Sequence, residues 1–86
     1  MSNWVHLEIS VNKNSTVSVK KVVNTVWKGA SVSKEDLSYN KRTIFYVGYP
    51  DCGKNMLTDI KKILEDIKSY DNKSNPQILI TNCLIY

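Results

Sequence analysis

Val5, Leu7, Ile9 and Val11 alternate with His6, Glu8, Ser10 and Asn12. A period of two predicts a half-buried strand. Asn12-Lys13-Asn14-Ser15 predicts a turn, and Ser15 or Thr16 is the expected N-cap of a first helix. Val19, Val22, Val23, Val26 and Ala30 then recur at helical spacing, with Gly29 where the helix should stop. Valine forms helix poorly because β-branching restricts χ1, so a strand competes here. A strand would bury Val17 and Val19 on one face with Lys21. A helix instead gathers Lys20, Lys21, Asn24 and Lys28 on the side away from the valines, and that reading is preferred.

Ser31 to Tyr39 shows no clear period; Asp36–Tyr39 is a candidate short strand and Asn40-Lys41-Arg42 a hairpin turn. Thr43 to Tyr49 is rich in β-formers and predicts a strand, broken by Pro50-Asp51-Cys52-Gly53. Met56/Leu57, Ile60, Ile63/Leu64 and Ile67 form one apolar stripe of a second helix, with Asn55 as its cap. Lys61–Glu65 and Lys62–Asp66 are opposite-charge pairs four residues apart on its solvent side. Asp71 to Pro76 ends it, and Gln77–Tyr86 predicts a last strand, broken near Asn82.

The order is β-α-β-β-α-β. Two amphipathic helices need an apolar surface, and one sheet face supplies it for both. Right-handed crossovers then give a two-layer, ferredoxin-like α+β fold with both helices on one face of an antiparallel sheet. The 86 residues are expected to form a single domain, residues 1–86. An apolar fraction of 42% with 23% charged residues is ordinary for a folded chain and argues against global disorder. No apolar run approaches the ~18 residues of a membrane span, and no secretory leader follows Met1. The expectation is a cytoplasmic protein that makes no membrane contact.

Charge changes the picture more than composition does. The net charge is +4, and residues 1–34 carry all of it, as five lysines against Glu8. Lys20, Lys21 and Lys28 are therefore candidates for a basic contact surface. Such a surface binds nucleic acid through phosphates, but the chain has one arginine, Arg42, and nucleic-acid readers favour arginine for bidentate contacts. On the first strand, Trp4, His6 and Glu8 fall opposite the valines, on the open side of the sheet, joined by Tyr46 or Phe45 according to register. Aromatics there suit base stacking, a protein partner or a homodimer; the glycine-aromatic signature of RNA-recognition motifs is missing.

Gly48 to Asn55 approaches the phosphate-binding pattern G-x-x-x-x-G-K-[ST] between a strand and a helix. Asn55 stands where a hydroxyl should hold magnesium, and no later strand supplies the supporting Asp. What remains is anion contact by Gly53 and Lys54 at a helix start. Cys52, Cys83 and His6 lie far apart in sequence and make a poor zinc set, and His6 with Glu8 lacks a cleft and a substrate-positioning group. No catalytic residue, metal or cofactor is expected.

The opening Met1-Ser2-Asn3-Trp4-Val5-His6, followed by an alternating strand, resembles the start of small uncharacterised bacteriophage proteins that begin M-x-N-W. Some of those resemble ferredoxin-like domains. With the small size and the absence of catalytic groups, the resemblance leads to the expectation of a non-enzymatic phage or mobile-element accessory protein acting in the host cytoplasm. It would bind and inhibit a host protein such as a defence nuclease. It supplies no functional residue. The candidate contact residues are Trp4, His6, Lys20, Lys21 and Lys28. The alternative is a small nucleic-acid-binding module using the lysine-rich helix face and the open sheet face, and a homodimer is a third way to cover the latter.

Overall fold

The computed structural model describes residues 3–15, 17–37, 41–50 and 55–85. The elements run β1 (Asn3–Asn12), α1 (Val19–Val26), β2 (Ser31–Leu37), β3 (Arg42–Tyr49), α2 (Met56–Tyr70) and β4 (Gln77–Ile85). The strands form one antiparallel sheet in the order β2-β3-β1-β4. Each helix thus connects two strands that are separated by a third. This is the ferredoxin-like βαββαβ arrangement expected from the element order.

Alternation decides which face is covered. Val5, Leu7, Ile9 and Val11 are buried and meet Val19, Val22, Val23, Trp27, Ile63 and Ile67 from the helices. Leu7 pairs with Val47 and Ile9 with Phe45, so Phe45 packs beneath the helices and Tyr46 faces the other way. Trp27 seals the helix layer. It is buried and stacked on Tyr49, with ring centroids 5.0 Å apart and planes 9° from parallel.

The first helix begins later than a cap at Ser15 or Thr16 predicts. The Ser15 hydroxyl accepts the Val17 N–H at 3.3 Å and donates to Asp71 Oδ2 at 3.0 Å, which holds the chain short of the helix. Ser18 takes the N-cap position, and Thr16 lies outside the described residues. Gly29, at φ +81°, closes the turn after the helix, a backbone conformation that glycine adopts without strain. The candidate strand Asp36–Tyr39 is also corrected. β2 spans Ser31–Leu37, because backbone pairing with β3 builds it where the side chains show no alternation; residues 38–40 are not described. Asn55 does occupy the N-cap of α2, but its side chain makes no cap hydrogen bond. On that helix Lys62 and Asp66 pair at 3.7 Å.

The break expected near Asn82 is a bulge within a continuous strand. His6 pairs with Asn82 but Leu7 pairs with Ile80, which leaves Thr81 as the extra residue. Its hydroxyl donates to the His6 carbonyl at 3.1 Å. Without it, alternation would put Asn82 on the face of Ile80; with it, Asn82 joins His6 on the open face.

At the other end of the sheet Arg42 ties three segments together. Its Nε donates to Ser10 Oγ, Nη1 to Asn12 Oδ1 at 3.0 Å, and Nη2 to the carbonyls of Ser10 at 2.8 Å and Asn75 at 2.7 Å. The one arginine is a clamp of the fold.

Candidate functional site

The helices cover one face of the sheet, and the other face is the candidate site. On β1, Trp4, His6 and Glu8 point away from the core. Register sets Gly48 beside His6, Tyr46 beside Glu8 and Ile44 beside Ser10. Ser33 and Glu35 of β2 continue those rows on one side, and Leu79 and Asn82 of β4 on the other.

The centre of this face is aromatic. Trp4 and His6 stack with centroids 5.9 Å apart and planes 10° from parallel. Gly48 lies beneath the imidazole: a Cβ there would stand 3.5 Å from His6 Cε1 and Nδ1. The missing side chain leaves a shallow trough of about 380 Å³ between Trp4, His6, Tyr46, Ser31 and Ser33. Trp4 is 37% and Tyr46 39% exposed, so both rings offer apolar surface. Tyr46 donates its hydroxyl to Glu35 Oε2 at 2.9 Å. Glu8 and Glu35 are the carboxylates of the face. Among its described residues there is no lysine, and Arg42 is spent on backbone and side-chain acceptors within the fold.

The sequence-predicted contact residues therefore do not converge. Trp4 and His6 lie together on the open sheet. Lys20 and Lys21 are exposed on α1, in the opposite layer, and Lys28 is exposed beyond the end of that helix. Lys20 and Lys21 border a shallow groove with Ser18 and Asn24. A flat partner cannot touch both sets at once. Gly53 and Lys54 lie outside the described residues, as does Cys52. Gly48, the first glycine of the phosphate-loop pattern, is placed inside β3 and paired on both sides.

Two contributors escaped sequence reasoning. Gly48 shapes the trough, which its neighbours in sequence do not reveal. Leu79 reaches the face because β4 pairs with β1 through Ile78 and Ile80. Among the described residues, no three His, Cys, Asp or Glu side chains group to hold a metal ion. No described helix is long and apolar enough to cross a membrane.

No family model and no curated protein matches the chain. Solved structures do resemble it. A de novo designed protein, Foldit4, has a TM-score of 0.57 at 19% identity, over 95% of this chain and 98% of that one. A second designed protein, LFR1 1 with ferredoxin fold, has a TM-score of 0.50 at 12% identity, over 92% and 85%. At these identities the likeness is one of fold. It supports the ferredoxin-like assignment and is silent on what the open face meets.

Proposed function

We propose that this is a binding protein rather than an enzyme, and that its open sheet face docks on a protein partner. One observation carries the reading: a stacked Trp4–His6 pair and Tyr46 surround a glycine-floored trough, on a face whose described residues include Glu8 and Glu35 beside Tyr46 and no lysine. Aromatic rings set beside carboxylates suit a partner surface that presents arginine or lysine among apolar side chains. The cation stacks on a ring while a carboxylate takes its charge. Nucleic acid is the wrong ligand for this face, because two carboxylates would meet its phosphates.

The opening residues support a finer version. They favour a bacteriophage accessory protein whose target is a host protein, such as a defence nuclease. A basic nucleic-acid-binding surface has the chemistry this face would cover. Host-lysate capture tests the reading with three baits: the wild type, Trp4→Ala/Tyr46→Ala, and Lys20→Glu/Lys21→Glu. One protein is expected in stoichiometric amount with the first and third baits and lost with the second. Its retention by the aromatic variant, or no protein at saturating bait, would sink the proposal.

The lysines of the helix layer favour a second reading, weak and sequence-independent nucleic-acid binding. It predicts a gel shift at low salt that Lys20→Glu/Lys21→Glu removes.

A further inference from the structure

The two edges of the sheet are unlike. β2 carries Lys34, Glu35 and Asp36 in succession, charges of the kind that stop an edge from pairing with another chain. β4, at the other edge, has no charged residue from Gln77 to Ile85 and no proline. It is the outermost strand, paired with β1 on one side only. Leu79 is 60% and Ile80 41% exposed, one on each face of the sheet.

Helix α2 continues this apolar flank. Its side towards α1 is marked by Asp59, which accepts the Trp27 indole N–H, and by Tyr70, which lines a groove with Val17, Lys21 and Val22. At about 100° per residue, Leu57 and Leu64 lie roughly 120–160° around the helix from those two. They stand on the side away from α1, and α2 also contacts β4. Leu57 is 68% exposed and Leu64 half-buried, with Lys61 and Lys68 exposed nearby. Strand edge and helix flank together form one side of two layers, uncharged along β4 and apolar on α2 apart from Lys61 and Lys68.

We propose that this side pairs with a second copy of the chain, β4 against β4, so that two sheets join into one. A second copy is the occupant for two reasons. A two-fold axis perpendicular to the sheet sets an edge strand antiparallel to itself, the sense of every other pair in this sheet. Self-pairing also places residues near the axis opposite their own copies, where like charges repel. β4 has none to repel. An axis at Leu79 sets that leucine opposite itself and Ile78 opposite Ile80, covering both exposed side chains. The bulge at Thr81 confines regular pairing to the residues before it. The proposal shares Leu79 with the open face but rests on the strand edge and not on the aromatic trough, so either can fail alone.

Sedimentation equilibrium of the full chain over a range of concentrations tests it. The 9.8 kDa chain is expected to associate to a dimer. Leu79→Lys weakens the dimer by about tenfold or more, because two charges then face each other across the axis. Adding Leu57→Lys leaves a monomer. Both positions are exposed, so the circular dichroism spectrum stays near that of the wild type, and the unfolding midpoint does so at concentrations where the wild type is itself dissociated. Trp4→Ala, on the open face, leaves the dimer intact. A monomer at every concentration, a dimer that survives the double substitution, or a dimer that Trp4→Ala dissolves would each overturn the proposal. So would a monomer whose β4 amides gain exchange protection only when an extended peptide is added, which would give the edge to a strand of another protein.

Discussion

The indole N–H of Trp27 donates to Asp59 Oδ2 at 2.9 Å, across the seam between α1 and α2. α1 has eight residues, too few to stand as an isolated helix in water, so its order comes from packing and from this bond. The buried ring fills the space beside Tyr49, and its one polar atom needs an acceptor. Asp59→Ala leaves that N–H buried and unpaired and is expected to cost about 1–3 kcal/mol. Asp59→Asn keeps an acceptor and costs less. Urea unfolding measures both, and equal midpoints for Asp59→Ala and wild type would show that the bond has no weight.

Arg42 predicts a sharper contrast. Its guanidinium donates from three nitrogens to acceptors on β1 and on the loop before β4. An ammonium has no planar fork and cannot reach those acceptors together. Arg42→Lys, although it keeps the charge, is expected to destabilise by about 1–3 kcal/mol, near the cost of Arg42→Ala. Equilibrium unfolding decides it. A lysine variant as stable as wild type would mean that charge alone holds this end of the sheet.

What could be read in advance follows from where the side chains make a period. β1 alternates cleanly because one face is core and the other is open, and α2 repeats at 3.6 because its stripe from Met56 through Ile60 and Ile63 to Ile67 meets one surface. β2 was illegible: it is an edge strand with charged residues in the middle, and Val32 alone among its described side chains packs on the core. Trp27 sits just past the last valine of the stripe, yet it continues the spacing of Val19 and Val23. Trp4 and His6 followed from alternation alone. The choice between Tyr46 and Phe45 required the pairing of β1 with β3, which is non-local information. Whether the lysines share a surface with the aromatics is likewise a question of layers. The structure separates them.

Ser74 offers a test in the stabilising direction. Its side chain is fully buried, and Oγ has no hydrogen-bond partner among the described residues. The backbone alone holds the residue in place: its N–H donates to the Asp71 carbonyl at 3.0 Å, and its carbonyl accepts from the Asn12 N–H at 2.8 Å. An unpaired buried hydroxyl costs about 1–3 kcal/mol. Ser74→Ala is expected to recover about 1 kcal/mol of that, a rise of roughly 4–8 °C in Tm for a domain of this size. A fall in Tm would mean that the hydroxyl is satisfied by an ordered water.

Gly48 separates the proposed docking role of the open face from the stability of the sheet beneath it. The residue lies in the interior of β3, where glycine is roughly 0.5–1 kcal/mol worse than alanine. An alanine Cβ would sit 3.5 Å from the His6 ring, an ordinary contact. Gly48→Ala is therefore expected to be slightly more stable and to keep the Trp4–His6 stack. Valine is a strong strand former, but its two methyl groups extend past that Cβ into the volume of the imidazole. His6 must then leave its stack with Trp4, and the trough between them closes. Gly48→Val is expected to remain folded by circular dichroism and to lose partner capture from host lysate. A folded Gly48→Val protein that captured the partner undiminished would show that docking does not use the Trp4–His6 stack.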